Sequence, residues 1–277
     1  MVQWNGFENR SSQEPREFES HPLRIVKKVI ILHKKEGETP LFALENFRKK
    51  HSEYLDVPMT YAGRLDPMAS GVLVILAGEE TKNKEKYLAL NKEYEFSVLF
   101  GFSTDTYDIL GKVVDSLDND SSLDRLATKN LFCSLIKKNL KDFRGKIKQK
   151  YPIYSSKTVN GKPLFSYTRS GEDVEIPERE VFIKKLSLEK IRTINNKNLL
   201  MNIEKRVGKI IGDFRQKEIL KIWKNKLQTP QVFYIADFKI KCTSGTYVRG
   251  IANSLGEKIG IPALAFSIKR TKLGKWS

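Results

Sequence analysis

Cysteine and histidine are scarce in this sequence, which has two cysteines and three histidines among 277 residues. Cys133 and Cys242 lie far apart, and His21, His33 and His51 show none of the short spacings typical of metal ligands. A disulfide framework and a zinc site are therefore not expected, and the chain suits a reducing compartment. We expect no bound metal ion.

Long apolar runs are also missing. No stretch approaches the ~20 apolar residues that a membrane-spanning helix needs, and the start of the chain lacks the basic-then-apolar pattern of a signal peptide. The sequence therefore predicts a cytoplasmic protein with no membrane partner. Residues 1–22 are polar and without a period, which predicts a flexible extension before one domain over residues 23–277.

Acidic residues are outnumbered by basic ones. Fifty Lys and Arg oppose 33 Asp and Glu, which gives a formal net charge of +17. Such an excess favours a polyanionic partner, nucleic acid first and an anionic membrane surface second, although it also fits a surface that serves only solubility. Part of the charge is concentrated at residues 129–150, which hold eight Lys or Arg and one acid, Asp142.

The apolar pattern predicts strands and helices that do not alternate regularly along the chain. Apolar or alternating runs indicate strands near 25–31 and at 72–77, 94–100, 181–188, 199–204 and 232–242. Helical spacing indicates helices at 41–50, 130–141, 164–169, 213–227 and 250–260, the first capped by Thr39 with Pro40 at its first position. This order suits an α+β domain with a large mixed or antiparallel central sheet flanked by helices.

Several familiar catalytic motifs are absent. The chain has no G-x-x-x-x-G-K-[ST] phosphate loop, no G-x-S-x-G nucleophile turn and no H-E-x-x-H zinc motif. Their absence weighs against ATP-driven, esterase and zinc-protease chemistry. Three other stretches contain residue types that are typical of a functional site.

Each of these three stretches has a structural and a functional interpretation. Asp66, before a proline in a Gly-rich turn, is either a turn former or a nucleophile or base held by the buried strand behind it. Arg249 follows S-G-T-Y-V at the start of a helix, where a cation opposes the helix dipole; it is a surface residue or the bidentate partner of a carboxylate. Tyr94 is a core aromatic or a ring that stacks on a nucleobase.

The three residues together suggest one site. In this interpretation Arg249 keeps Asp66 ionised, and Tyr94 covers a flat ligand. The surrounding basic surface then holds a phosphate backbone.

Four stretches, in order, resemble the TruB family of tRNA pseudouridine synthases. G-R-L-D-P-M-A-S-G at 63–71 is similar to the family's catalytic Asp loop, and Y-L-A-L-N-K-E-Y-E-F at 87–96 with G-F-S-T-D-T-Y-D-I-L-G at 101–111 to its Tyr-bearing strand and following loop. F-R-G with Y-P-I-Y-S-S-K-T-V-N-G at 151–161, and C-T-S-G-T-Y-V-R-G at 242–250, are similar to two further family motifs. The resemblance extends from about residue 32 to residue 276.

The resemblance implies a fold, a reaction and roles for named residues. It implies the pseudouridine synthase catalytic fold, with Asp66 as catalytic residue, Arg249 paired with it, Tyr94 stacked on the target uracil and Tyr247 shaping the pocket. The family converts uridine-55 in the T loop of tRNA to pseudouridine without a cofactor, after flipping the nucleotide out of the loop. The implied partner is the T arm of tRNA, and we expect a monomer.

The chain departs from the family pattern at positions that bear on the substrate. Tyr61 stands where the family usually has His, and Arg64 replaces a small residue, as in enzymes that act on ribosomal RNA. Lys34 is kept from the family's entry motif, although neighbouring residues differ. We expect Tyr61, Arg64 and Lys34 to contact the substrate.

Two differences concern whole segments. An insertion is predicted at about residues 207–228, and no C-terminal PUA RNA-binding domain is recognised before Ser277. The basic helix in 129–150 and the insertion are expected to compensate in RNA binding.

Two alternatives keep RNA as the partner but change the substrate or the activity. One is the same chemistry on ribosomal or other RNA. The other is a catalytically silent protein that binds or folds tRNA. A basic nucleic-acid-binding protein without a pocket is a third, which requires the four motif stretches to be coincidental.

Overall fold

A mixed sheet with helices packed around it organises the chain in the computed structural model, which describes residues 26–117 and 129–277. The predicted extension at 1–22 lies outside the described residues. The strands are β1 Val29–Lys34, β2 Met59–Ala62, β3 Ala69–Ala77, β4 Lys92–Phe100, β5 Phe102–Thr104, β6 Val113–Ser116, β7 Gly145–Lys150, β8 Thr158–Val159, β9 Lys162–Pro163, β10 Glu178–Asn195, β11 Val232–Cys242 and β12 Ala263–Leu273. The helices are α1 Pro40–Lys50, α2 Lys84–Leu88, α3 Lys129–Asn139, α4 Leu164–Ser170, α5 Asn196–Val207, α6 Gln216–Lys226 and α7 Val248–Ile259.

Eight strands form the main sheet. Their order is β1-β3-β12-β4-β11-β10-β7, and β2 also pairs with β3. The pair β3–β12 is parallel, whereas the other pairs are antiparallel. The prediction of an α+β domain with a large mixed sheet is therefore confirmed.

Most predicted elements form where their sequence patterns place them. Residues 72–77 lie in β3 and are at most 1% exposed, as expected for a strand covered on both faces. Thr39 caps α1 by accepting a hydrogen bond from the backbone N–H of Phe42 at 3.1 Å, and Pro40 opens the helix. The alternating segment 232–242 forms the long strand β11.

Two elements differ from the sequence-based expectation. The predicted strand at 199–204 is wrong, because this segment belongs to α5, capped by Asn195. Its buried residues Leu199, Ile203 and Val207 recur every four positions, a helical period that six residues are too few to reveal. Strand β12 was not predicted, although it lies centrally between β3 and β4, because the charged stretch 269–272 masks its alternation.

Helices α5 and α6, with the connecting residues 208–215, form a unit that we call the helical hairpin. It joins the ends of β10 and β11, which pair along their length. Apolar residues from both helices belong to the main hydrophobic core, as does Leu227 directly after α6; the helix residues are Leu199, Ile203, Val207, Ile219 and Trp223. The segment predicted as an insertion is thus packed into the domain, and deleting it would remove core side chains along with any RNA contacts.

Trp223 provides a test of this packing. Its side chain is fully buried, and its ring meets Phe102 edge-on with centroids 4.9 Å apart. We expect Trp223→Ala to lower the free energy of unfolding by about 3–5 kcal/mol, as measured by urea denaturation. Trp223→Phe should cost much less, since the indole N–H is buried without a hydrogen-bond partner among the described residues. Equal effects of the two variants would contradict this account.

The described helices are short. Within residues 26–117 and 129–277 no helix is long and apolar enough to cross a membrane. In the same residues no group of three His, Cys, Asp or Glu side chains is placed to hold a metal ion. Cys133 and Cys242 are free thiols.

Candidate functional site

Asp66 lies in a short loop between β2 and β3. Gly63 enters the loop with φ +80°, a left-handed conformation that favours glycine. The backbone N–H of Ala69 closes the turn by donating to the carbonyl of Asp66 at 3.0 Å, and Gly37 N–H donates to the carbonyl of Pro67 at 2.8 Å. The loop is thereby fixed by β3 and by the segment after β1, and the Asp66 side chain stays 34% exposed.

Arg249 joins this loop to two other segments. It sits at the start of α7 with a side chain only 3% exposed. Its Nε donates to Asp66 Oδ2 at 2.9 Å, its Nη1 to the carbonyl of Thr106 at 2.7 Å, and its Nη2 to the carbonyl of Tyr154 at 2.8 Å. The predicted contact with Asp66 is confirmed, but the expected bidentate pairing is wrong, because the other two nitrogens are taken by backbone carbonyls.

The charge of Arg249 is maintained inside the protein. Burial opposes the charged form, but Asp66 and Asp108 raise the pKa of Arg249 above its ordinary value. Because each of the three guanidinium nitrogens of Arg249 donates to a defined acceptor, Asp66 has a cationic neighbour in a fixed position. Part of the Asp66 carboxylate remains open to solvent.

Tyr94 lies on β4 directly opposite Arg270 of β12. The side chain is 8% exposed, so protein covers most of the ring in this structure. Burial raises the pKa of Tyr94 to about 12, Arg270 opposes the shift, and Asp66 adds to it. Arg270 also donates to the carbonyl of Gly63 at the start of the Asp66 loop, so Tyr94 lies opposite a residue that contacts this loop. The ring is a core residue, and its stacking on a base stays a prediction.

Tyr247 immediately precedes α7. Its backbone N–H and carbonyl both bond to the side chain of Gln149 at 2.9 Å. Its ring lies beneath the guanidinium of Arg249 at 5.8 Å and meets Tyr151 edge-on. Burial raises the pKa of Tyr247, Arg249 opposes this and Asp66 adds to it. Tyr247 therefore forms part of the wall around the Asp66–Arg249 pair.

Lys34 is almost fully buried at the end of β1. Its ammonium donates to the carbonyls of Lys35 and Glu38 at 2.9 and 2.7 Å. Burial lowers the pKa of Lys34 to about 8, an effect opposed by Glu38 and Asp66. The side chain holds the turn after β1 and adds positive potential behind the Asp66 loop.

Tyr61 and Arg64 lie on the Asp66 loop and the strand before it. The Arg64 Nη2 donates to the Tyr61 hydroxyl at 3.3 Å, and Arg64 is exposed. Within the described residues, the side-chain hydrogen bonds of these two residues do not include Asp66, Arg249 or Tyr94. The structure therefore brings Asp66, Arg249 and Tyr247 together, places Tyr94 opposite Arg270, and sets Tyr61 with Arg64 on and before the Asp66 loop.

Two charged residues of this region were not predicted as site residues. Asp108 is 4% exposed, accepts hydrogen bonds from Thr106 Oγ1 and Leu110 N–H, and has its pKa raised by burial to about 6. Arg270 is 1% exposed and donates to the carbonyls of Val72 and Gly63. The sequence carried a signal for Arg270, since a charge at the alternate position after Phe266 and Ile268 lies on a buried face.

The geometry provides a partly open carboxylate against a buried, fully engaged guanidinium, with two tyrosines nearby. The sequence model of a protein family described as TruB family pseudouridylate synthase (N terminal domain) matches residues 57–211, which is more than half of the chain. The chain belongs to the TruB family. The match begins just before β2 and covers the Asp66 loop, β4 and the loop after it.

Individual relatives extend the similarity beyond this segment. The chain is 32% identical over 243 residues to tRNA pseudouridine synthase B of Lactobacillus acidophilus, covering 87% of this chain and 67% of the relative. It is 33% identical over 248 residues to tRNA pseudouridine synthase B of Bacillus cytotoxicus, covering 90% and 66%. The chain thus spans about two thirds of the length of these TruB relatives.

Solved structures give a more distant similarity. The structure of an H/ACA RNP bound to a substrate RNA containing 2′-deoxyuridine aligns with 89% of this chain and 47% of that chain, at 17% identity and a TM-score of 0.48.

Proposed function

We propose that this TruB family protein converts uridine-55 in the T loop of tRNA to pseudouridine, with Asp66 as the catalytic residue. The proposal rests on one observation: Asp66, in the G-R-L-D-P loop, forms a hydrogen bond and ion pair with the buried Arg249 of α7. The names of the curated relatives support tRNA as the substrate class. We also propose that the protein is a monomer, that it acts in the cytoplasm, and that it binds the T arm of tRNA.

The proposed reaction is an isomerisation with no net change in atoms or electrons. The N1–C1′ glycosidic bond breaks, the uracil turns, and a C5–C1′ bond forms. The proton on C5 leaves to solvent, and N1 takes up a proton from solvent, so that the product is an isomer of uridine. Asp66 acts on the ribose, either as a nucleophile or as a base, and Arg249 keeps the carboxylate ionised and oriented. Tyr94 and Tyr247 contact the flipped base, which requires the ring of Tyr94 to become more exposed when RNA binds.

Exposed lysines supply a surface for the phosphate backbone. On β7 the side chains of Lys146, Lys148 and Lys150 are exposed, while Gln149 between them is buried and bonds Tyr247 next to the site. These lysines alternate with Gln149 along the strand and point to the opposite side of the sheet from it. A chain with a formal net charge of +17 is nevertheless expected to bind a phosphate backbone with an affinity that does not depend on sequence and that falls with salt, which supports RNA as the partner.

Ribosomal or other RNA remains the second candidate substrate. Arg64 favours it, because this exposed guanidinium lies two residues from Asp66 and is bonded to Tyr61. In this alternative, contacts of Tyr61 and Arg64 with RNA determine the choice of substrate.

Tritium release distinguishes the two substrates. Uridine labelled at C5 loses its tritium when C5 bonds to C1′, so we expect about one equivalent released per tRNA transcript. A matched transcript with cytidine at position 55 should release none, and ribosomal RNA should release little. Release from ribosomal RNA alone would transfer the proposal to that substrate, and release from neither RNA would contradict it.

A further inference from the structure

The helical hairpin reaches the candidate site through Arg215, the residue before α6. Arg215 has φ +65° and ψ +27°, a left-handed conformation that is unfavourable for a residue other than glycine. Its side chain is 25% exposed and turns inward from the hairpin connection. An arginine kept in this conformation indicates that the contacts of its side chain compensate the backbone cost.

Arg215 links two segments that are distant in sequence. Its Nη1 and Nη2 form a fork on the carboxylate of Asp105, at 2.7 and 3.4 Å. The same Nη1 donates to the Tyr154 hydroxyl at 2.8 Å, and the guanidinium lies 4.5 Å from the centre of that ring. Asp105 also accepts from the backbone N–H of Lys112 at 2.8 Å, so the carboxylate closes the loop 104–112 at the same time.

These two segments are also the ones that hold Arg249. The carbonyl of Thr106, next to Asp105, accepts from Arg249, and so does the carbonyl of Tyr154. The contacts form a closed ring through Arg249, Thr106, Asp105, Arg215 and Tyr154. Arg215 therefore bridges the two segments whose carbonyls hold the guanidinium that faces Asp66.

The hairpin also supports the Asp66 loop from its other side. The N–H of Ile211 donates to the carbonyl of Gly37 at 3.2 Å, and the N–H of Gly37 donates to the carbonyl of Pro67. A Cβ on Gly37 would lie 2.4 Å from the carbonyl oxygen of Lys209, so the two backbones are in close contact. Arg206 of α5 pairs with Glu36 in the same turn.

We propose that Arg215 is a positioning residue that orders the Asp66–Arg249 pair by holding loop 104–112 against Tyr154. The expected effect of Arg215 on kcat rests on the proposed function. Arg215 contacts neither Asp66 nor Arg249 directly, so it acts on turnover through the geometry of the pair and not through substrate binding.

The kinetic test compares Arg215→Ala with matched variants on a tRNA transcript. Arg215→Ala should lower kcat about tenfold or more, with KM nearly unchanged, because a small misplacement of reacting groups affects the chemical step. Arg215→Lys, which keeps the charge but loses the fork, should recover part of kcat. Asp105→Asn should lower kcat as well, and combining it with Arg215→Ala should add little.

Lys217→Ala is the charge control. Lys217 is exposed on α6, so this variant removes one positive charge from the same helix and should leave kcat unchanged. A wild-type kcat in Arg215→Ala, or an equal loss in Lys217→Ala, would overturn the proposal. The proposal would also be overturned if Arg215→Ala and Asp105→Asn both showed a lower kcat, a matching rise in KM and a lower Tm. That result would indicate general destabilisation.

Hydrogen exchange tests the same arrangement without any turnover. Arg215→Ala should speed amide exchange in peptides covering 104–112 and 151–157 while leaving β4 at the wild-type rate, and Lys217→Ala should change neither. If the wild type released no tritium from any RNA, the proposed function would fail, but faster local exchange would still support the positioning role. Unchanged exchange in both peptides would overturn it.

Discussion

Replacing Asp66 by Asn or Ala should abolish isomerisation, with a loss of turnover of at least about 10⁴-fold. The carboxylate is the acidic group that Arg249 holds partly open to solvent, and neither replacement can attack or deprotonate a ribose. Tritium release from C5-labelled tRNA in single-turnover assays measures the loss directly. Binding of tRNA should remain within a few-fold of wild type, because the phosphate backbone dominates affinity.

The two Asp66 replacements serve as controls for each other. Asn keeps an oxygen that can accept from Arg249 Nε, whereas Ala leaves this nitrogen without its partner at a buried guanidinium. Asp66→Ala should therefore lower stability more than Asp66→Asn, while both lose activity. Substantial turnover by Asp66→Asn would show that another group, with buried Asp108 as the next candidate, carries the reaction.

The sequence predicted the parts of the site that depend on local motifs. Asp66 before Pro67 and Arg249 at the start of a helix were each open to a structural and a functional explanation, and the structure confirms only that the two side chains are in contact. For Tyr94 the structure confirms the core interpretation, since the residue is 8% exposed, and the stacking on a base stays a prediction. Periodicity also sufficed for β3, β11 and α1, which have clear patterns and caps.

What the sequence did not predict depends on contacts between distant segments. Nothing local to Arg215 indicates that it meets Asp105 and Tyr154, 110 and 61 residues away. The alternation of Arg270 with Phe266 and Ile268 is a local signal of burial, but its contacts with the carbonyls of Val72 and Gly63 depend on the position of β12 between β3 and β4. The same lack of long-range information led to the expectation of a bidentate Arg249–Asp66 pair, because two carbonyls from other segments compete for the guanidinium.

Arg249→Lys should lower kcat by about 10²-fold while leaving the KM for tRNA close to wild type. The three acceptors of Arg249 lie on three different segments, and its planar group meets each with a separate nitrogen. A lysine ammonium is a compact donor on a flexible stem and cannot reach all three positions at once. At least one carbonyl in this region should lose its partner, at a cost of about 1–3 kcal/mol in the free energy of unfolding.

Lys258→Ala is the matched control for this loss, since Lys258 is exposed further along α7 and pairs with Asp142 at the surface. Its removal deletes a cation from the same helix and should change stability by no more than about 0.5 kcal/mol and kcat hardly at all. Normal turnover by Arg249→Lys would show that a nearby positive charge is sufficient and that the directed hydrogen bonds are not required. A raised KM with an unchanged kcat would instead place Arg249 in RNA binding and remove it from the orientation of Asp66.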